Sequence, residues 1–249
     1  GKYMRIVANY KHYKELNEEV VQAINNGAAQ LTLEDVNGQR FIADCLKGKL
    51  KIDIYGTPGN DLGMFMDGPT VTVFGNAQDG VGNTMSSGKI IIHGDGRDIL
   101  GHSMRGGKIF VRGDVGYRVG IHMKTYKSNV PVIVAGGHAG DFLGEYMAGG
   151  IIIILGIHNA AKKTEILGDW VATGQHGGAI YVRGQVDDSK LGNGASQFPM
   201  TADDEMAVKR VLTEYCSVFG LGLDSVFDTE FTKIAPVSHR PYAALYTCE

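Results

Sequence analysis

Proline, cysteine and long apolar runs are scarce in this sequence. Only 6 of its 249 residues are proline and 3 are cysteine, namely Cys45, Cys216 and Cys248. The cysteines are odd in number and far apart, and they form no CxxC pair. This pattern argues against a disulfide framework, a zinc ribbon and an iron–sulfur site. It fits a reducing compartment, and we expect a cytoplasmic protein.

Segments that would direct the chain to a membrane or to nucleic acid are also lacking. The longest apolar run, residues 151–155, is far below the ~20 residues that cross a bilayer, and no basic segment precedes an apolar core near the N-terminus. The 24 Lys and Arg residues are balanced by 27 Asp and Glu residues, which argues against a protein that neutralises many phosphates. We therefore expect neither a membrane nor a nucleic-acid partner. Residues 1–3 precede Met4 and have two explanations, a remnant of cloning or a natural start further upstream, so they are left out of the fold prediction.

Glycine, by contrast, is abundant, with 36 residues, and it recurs in register after short apolar runs. Residues 90–94 and 109–113 are two such copies, and they lie 19 residues apart. The first glycine column contains Gly56, Gly75, Gly94, Gly113, Gly136, Gly156 and Gly184. The second column contains Gly63, Gly82, Gly101, Gly120 and Gly144, and it ends at Ala172. Insertions around 124–129 and 159–166 account for the longer spacings.

Each copy holds a strand of about five residues, a glycine corner and a polar turn. It is too short to enclose a core or to contain a crossover helix, so neighbouring copies must stack. The sequence therefore predicts an all-β fold, a right-handed parallel β-helix with 19 residues per coil, in which corner glycines supply a positive φ. A β-propeller is the alternative, but its blades need ~40 residues and four strands.

Helical spacing of apolar residues occurs near both ends of the chain. Residues 14–26 have this spacing and are followed by Gly27, a typical residue after a helix. A second helix is predicted after Thr201, whose spacing to Asp204 is that of a capping box, and it runs towards Gly220. The predicted regions are a helical cap (1–30), the glycine-repeat β-helix (31–186), and a C-terminal helix with an irregular tail packed on the solenoid (187–249).

Residues at one offset in the repeat should form columns. Three residues after the second glycine lie Met66, Met85, Met104, Met123 and Met147. Thioethers suit Cu(I), but we favour an inner corner filled by an adaptable side chain. An acidic column, which could suggest calcium, contains Asn60, Asp79, Asp98, Asp141 and Asp169. We interpret its members as turn residues that bond their own amides. His138 and His158 share an offset but lack a third ligand, so no metal site is assigned.

The middle residue of each strand copy forms a candidate interface. Its members are Ile91, Phe110, Ile133, Ile153 and Tyr181. Because alternate strand residues point to opposite faces, this column should face outwards, where large apolar side chains need a cover. Two covers are considered: the C-terminal helix around Val211, Leu212 and Tyr215, or a partner, either a catalytic subunit or a second copy of this chain.

Catalytic signatures do not fit the sequence. Residues 101–105 lack the final glycine of a nucleophile elbow, and residues 82–89 have the wrong spacing for a phosphate loop. No His or Asn partner can be assigned to Cys45. We therefore assign no catalytic, cofactor-binding or metal-binding residue.

The repeat unit Gly-x-x-Met-x-Gly-Gly-x-Ile-x-Val-x-Gly is clearest at 101–113 and 144–156. With the segments 36–40, 231–236 and 240–241, it resembles the C-terminal glycine-repeat domain of the glutamate synthase large subunit over nearly the whole chain. In that family, an amidotransferase domain and an FMN and iron–sulfur synthase domain convert glutamine and 2-oxoglutarate to glutamate. The resemblance implies a scaffold without its own cofactor, whose partners are the amidotransferase and the FMN-binding synthase subunits.

Two alternatives stay open at this point. A similar repeat occurs in one component of formylmethanofuran dehydrogenase, so the chain could resemble that β-helix component instead. An independent protein-interaction module or an independent enzyme is the other alternative. A second copy of this chain, in a homo-oligomer, is a further partner considered.

Overall fold

The computed structural model describes residues 1–158 and 165–237, so Cys248 and the segment 240–241 lie outside the described residues. The strands are β1 (Lys2–Val7), β2 (Ala28–Asn37), β3 (Lys51–Thr57), β4 (Asp67–Phe74), β5 (Ser87–Ile92), β6 (Lys108–Val111), β7 (Val132–Ala135), β8 (Ala148–Ile154), β9 (Gly177–Arg183), β10 (Ala195–Phe198) and β11 (Phe231–Pro236). The helices are α1 (Tyr13–Asn25), α2 (Ala202–Phe219) and α3 (Leu223–Val226).

Strands β1 to β9 pair in chain order, each parallel to the next. Such a sheet, built by consecutive short coils, is a parallel β-helix, and the predicted all-β fold class is confirmed. One column runs along its interior and is fully buried: Ile52, Val71, Ile90, Ile109, Ile133, Ile152 and Ile180. Burial of this apolar column in every coil supplies the core that no single copy could enclose.

The predicted register is wrong by one residue at β7. Ile133 pairs with Ile109 and Ile152, so it points into the core. Gly137, rather than Gly136, stacks on Gly113, and its N–H donates to the Gly113 carbonyl at 2.8 Å. The adjacent glycines at 136 and 137 left the register open in the sequence, and a slip of one residue moves every side chain of a strand to its opposite face.

The glycines of the second column have the predicted left-handed backbone. Gly101, for example, has a φ of +73°, and a Cβ atom placed there would lie 2.4 Å from Cδ1 of Ile133 in the core. Several glycines of the first column, including Gly75 and Gly113, have no positive φ, so that expectation is wrong for them. They are glycine because successive coils approach closely: a Cβ at Gly75 would lie 2.3 Å from the Gly56 carbonyl oxygen.

The predicted N-terminal helix is confirmed as α1, but a strand that was not predicted, β1, precedes it. The parallel pairing of β1 with β2 includes residues 2 and 3, which the fold prediction had left out, and the Tyr3 hydroxyl donates to Thr32 Oγ1 at 2.9 Å. Helix α1 connects these strands and buries Leu16 and Val20 in the core. The region 1–30 is therefore a mixed strand and helix unit that continues the sheet.

The C-terminal region contains the predicted helix and additional β-structure. Helix α2 begins with the capping box of Thr201 and Asp204 and ends at Gly220, whose φ is +65°. The tail is not irregular throughout, because β11 pairs antiparallel with both β9 and β10. Of the helices in residues 1–158 and 165–237, none has the length and hydropathy that crossing a bilayer demands.

Candidate interaction surfaces

Helix α2 of the same chain covers the outward face of the sheet over strands β5 to β9. The middle column of this face contains Thr32, Asp53, Thr72, Ile91, Phe110, Val134, Ile153 and Tyr181. Phe110 is 1% exposed, and its ring packs edge-on against Tyr215 of α2, with the centroids 5.5 Å apart. The Tyr215 hydroxyl donates to the Val111 carbonyl at 2.7 Å. Helix α2 is therefore the cover of this face.

This arrangement corrects the candidate interface in two ways. Ile133 lies inside, and Val134 takes its place in the outward column. Ile91, Phe110, Ile153 and Tyr181 do face outwards, but all are buried, because α2 spans the strands that carry them. This stripe is consequently not an open partner surface. The column changes from polar to apolar between Thr72 and Ile91, where the cover begins.

Polar contacts hold both ends of α2 on the sheet. Near its C-terminal end, Glu214 accepts from Lys89 at 3.1 Å and from Lys108 at 2.7 Å. Near its N-terminal end, Asp204 is hydrogen-bonded by the Tyr181 hydroxyl and by Lys233. Burial alone would raise the pKa of Asp204, but these donors, together with the Thr201 cap, outweigh it and lower the pKa to about 2. The carboxylate is thus ionised at neutral pH and fixes the helix to β9 and β11.

The acidic column forms a ladder between coils. The N–H of Asp79 donates to Asn60 Oδ1 at 3.1 Å, and the N–H of Asp98 donates to Asp79 Oδ1 at 3.0 Å. The interpretation that these side chains bond their own turn amides is therefore wrong, since the side chains of Asn60, Asp79, Asp98 and Asp141 each accept from an amide of the next coil. A second ladder was missed: the Asp95 N–H bonds Asn76 Oδ1, and the Asp114 N–H bonds Asp95 Oδ1. Both ladders stabilise the stacking of coils.

The histidines and methionines of the repeat do not meet as ligands. His138 lies with Nδ1 3.2 Å from Asp114 Oδ1, whereas Nδ1 of His158 lies 3.2 Å from Arg112. In the described parts of the chain, no three His, Cys, Asp or Glu side chains are grouped as a metal site. The methionine column (Met66, Met85, Met104, Met123 and Met147) is fully buried in the apolar core. Gln175 continues this column, with Nε2 donating to the Gly177 and Gly178 carbonyls.

The opposite side of the coils is a surface that the sequence analysis did not identify. In most coils, the left-handed glycine or alanine of the second column lies between two further left-handed residues, two positions before and two after it. In one coil, these neighbours are Arg118 and His122 around Gly120, with φ values of 54° and 56°. A left-handed backbone costs a residue with a Cβ about 1–2 kcal/mol. The sequence signal that could have revealed this surface is the placement of two aromatic residues, Phe142 and Tyr146, two positions before and two positions after Gly144.

We call this surface the turn face; it comprises Phe65, Thr84, Ser103, Arg118, His122, Phe142, Tyr146 and Trp170. Phe65, Tyr146 and Trp170 are exposed, and the face contains two stacked ring pairs, His122 with Tyr146 and Phe142 with Trp170. Trp170, 52% exposed, stacks on Phe142 with the ring centroids 5.0 Å apart, and the Arg118 guanidinium lies 4.2 Å above the Phe142 ring centroid. Arg118 also pairs with the buried Glu145. The turn face is therefore an ordered aromatic and basic surface that α2 does not cover.

A half-buried carboxyl group, that of Asp44, lies in the first coil, beside this face. Asp44 Oδ1 accepts the Met64 N–H at 2.9 Å, while Oδ2 is buried with no hydrogen-bond partner among the described residues. Burial, assisted by the charge of Asp61, raises the pKa of Asp44 to about 7. The folded protein therefore holds a proton on Asp44 at pH values where the unfolded chain does not.

Because of Asp44, the free energy of unfolding is expected to fall as pH rises from about 4 to about 7. The unfolded carboxyl has a pKa of about 4, so the penalty of ionising Asp44 develops between about pH 4 and pH 7. We expect Asp44→Asn to raise the free energy of unfolding at pH 8 by roughly 1–3 kcal/mol and to have little effect near pH 4. Urea unfolding at both pH values measures this, with Asp53→Asn on β3 as the control. An equal effect of Asp44→Asn at both pH values would contradict the assignment.

Comparison with known proteins agrees with this architecture. The GXGXG motif family model matches residues 13–236. The uncharacterized protein MJ1350 of Methanocaldococcus jannaschii is 52% identical, in an alignment that covers 97% of this chain and 95% of that protein. The chain belongs to the GXGXG-motif family, that of the domain found at the C-terminus of the glutamate synthase large subunit.

Proposed function

We propose that this chain is a non-catalytic scaffold component of glutamate synthase. In this role it supports the amidotransferase component and the FMN-binding and iron–sulfur synthase component, which convert glutamine and 2-oxoglutarate to glutamate. The family match over residues 13–236 carries the proposal, because it spans strands β2 to β9 of the β-helix and α2. The cofactors belong to the partner components, and this chain contributes shape and contact surface.

The turn face is the surface proposed to contact these partners. The sheet face is closed by α2 over β5 to β9, whereas Tyr146 and Trp170 are 44% and 52% exposed on the turn face. Aromatic and Arg side chains dominate the energetics of protein interfaces, and here the stacking of Trp170 on Phe142 orders them in advance. A stack of coils joined by backbone hydrogen bonds holds such residues at fixed spacing, as a scaffold requires.

Co-expression with the amidotransferase and FMN-binding synthase chains of the same organism tests the proposal. We expect a complex that co-elutes in size-exclusion chromatography and forms glutamate from glutamine and 2-oxoglutarate faster than the same mixture without this chain. We expect this chain alone to release no glutamate from glutamine. Absence of association with either catalytic chain would contradict the proposal. Co-purification with a molybdenum or tungsten dehydrogenase would favour the alternative, the β-helix component of a formylmethanofuran dehydrogenase.

Trp170→Ala is expected to weaken assembly with the catalytic chains without unfolding the scaffold. Truncating a central aromatic contact typically costs about 2 kcal/mol or more, so the dissociation constant should rise by roughly 30-fold. Tyr55→Ala is the matched control, because Tyr55 is 47% exposed and also stacked on a neighbour, Phe74, but lies on the sheet side. Light scattering or surface plasmon resonance measures the change. Equal weakening by both variants would show that the turn face is not the contact surface.

A further inference from the structure

A cleft of about 350 Å³ opens on the turn face in the middle of the solenoid. Its lining residues are Thr84, Ser103, Arg105, His122, Lys124, Tyr146 and Ala148. They provide two cations, two hydroxyls, an imidazole and a phenol, and no carboxylate. The volume is within the range of small-ligand sites.

The two cations occupy the same position in consecutive coils. The Arg105 N–H donates to the Met85 carbonyl and the Lys124 N–H to the Met104 carbonyl, both at 3.0 Å, so Lys124 repeats the backbone contact of Arg105 one coil later. Neighbouring strands of stacked coils lie about 4.8 Å apart, and like charges directly opposite each other are unfavourable. In residues 1–158 and 165–237, no carboxylate lies within ion-pair distance of either side chain.

Another stacked pair of cations in this protein shows how such a repulsion is relieved. Lys89 and Lys108 are direct neighbours on β5 and β6, and Glu214 of α2 lies 3.1 Å from the first and 2.7 Å from the second. The fold thus places an anion between stacked cations on the sheet face. Arg105 and Lys124, which line the cleft together, also occupy equivalent positions in consecutive coils, but no such anion from the described residues lies between them.

The surroundings of the pair combine a cation of fixed position with an aromatic surface. Arg105 Nε donates to Ser86 Oγ at 3.3 Å, and its guanidinium lies 5.7 Å from the Tyr126 ring centroid, so its position is fixed on two sides. The His122 and Tyr146 rings stack with centroids 5.3 Å apart and an interplanar angle of 19°. This stack forms a flat wall of the cleft, beside the cations.

We infer that this cleft binds an oxyanion, phosphate or carboxylate, carried by a small molecule. Arg105 and Lys124 supply the charge-assisted hydrogen bonds, the Ser103 hydroxyl provides a further donor, and the ring wall contacts the body of the ligand. The inference does not depend on the proposed role in glutamate synthase, because it uses only the charges and geometry of the cleft.

Isothermal titration of the purified chain at low salt tests the inference, with inorganic phosphate and succinate as probes. Saturable binding with a dissociation constant of about 1 mM or below is expected for at least one probe. Tighter binding of phosphate identifies a phosphate-bearing ligand class, and tighter binding of succinate identifies a carboxylate. Arg105→Gln and Lys124→Gln should each weaken binding by about tenfold, whereas Lys51→Gln, an exposed lysine on the sheet side, should not change it.

Thermal unfolding provides a second check. If the stacked cations repel each other, Lys124→Gln should raise the thermal midpoint at low salt, and phosphate should raise the wild-type midpoint. Absence of saturable binding of both probes up to ~10 mM would overturn the inference. Equal weakening by Lys51→Gln would do so as well.

Discussion

Gly101→Val is expected to lower the free energy of unfolding by about 3–5 kcal/mol, because two costs combine at this position. The first is the backbone, since a β-branched residue is strained at the φ of +73° that Gly101 adopts. The second is overpacking, because the new Cβ would lie 2.4 Å from Cδ1 of the buried Ile133. Urea unfolding followed by circular dichroism measures the sum.

Two further variants separate these costs. Gly220→Ala has a similar φ, +65°, with nothing within 4 Å of the new Cβ, so it should cost only about 1 kcal/mol. Adding Ile133→Val to Gly101→Val removes the δ-methyl and should recover part of the loss, as expected for two side chains in contact. Alanine occurs in the same column at Ala43 and Ala172, with φ values of 64° and 62°, so the backbone admits a Cβ where the packing allows it. An additive double variant would contradict the packing explanation.

Phe110→Glu is expected to unfold the protein or to lower its stability by at least about 4 kcal/mol, since it removes a buried ring and buries an unpaired charge. Phe110 is 1% exposed between the sheet and Tyr215, and water cannot reach a carboxylate there unless α2 detaches. Thermal unfolding and limited proteolysis of α2 measure the effect.

Thr72→Glu is the matched control for this position. Thr72 lies in the same outward column, next to Ile91, but before the part of the sheet that α2 covers. Its substitution should change stability by less than about 1 kcal/mol. If Phe110→Glu left stability unchanged but abolished association with a partner, α2 would not be the cover in solution. The apolar stripe would then be a docking face.

The repeat itself was predictable because it depends only on interactions within one coil and between neighbouring coils. Nineteen-residue spacing, β-branched strands and glycine at the core-facing left-handed corner all follow from one coil and its neighbour, and Gly101 illustrates the rule. The capping box of Thr201 and Asp204 was predictable for the same reason. The register at β7 was not, because Gly136 and Gly137 offer two alignments. In the structure Gly137 takes the repeat position, because its N–H bonds the Gly113 carbonyl. Gly136 is glycine for another reason: a Cβ there would lie 2.5 Å from the Tyr215 hydroxyl.

The candidate surfaces were less accessible to sequence reasoning. The sequence showed that the outward apolar residues from Ile91 to Tyr181 need a cover. It did not show whether the C-terminal helix or a partner chain provides that cover. The aromatic and basic turn face was missed, because its left-handed residues carry ordinary side chains such as Arg118 and His122, for which the sequence offers no signal as clear as glycine.

The sequence by itself determined the coil: its length, its strand, its buried apolar column and its core-facing glycine corner, because each depends on contacts between residues at a fixed offset in neighbouring copies. Only the tertiary structure decided which face of the sheet is closed and which charges lack an ion-pair partner among residues 1–158 and 165–237. Those outcomes depend on where α2 lies, far along the chain from β5 and β6. Glu214 reaches Lys89 and Lys108 but not Arg105 or Lys124, because α2 covers the sheet face and leaves the turn face open.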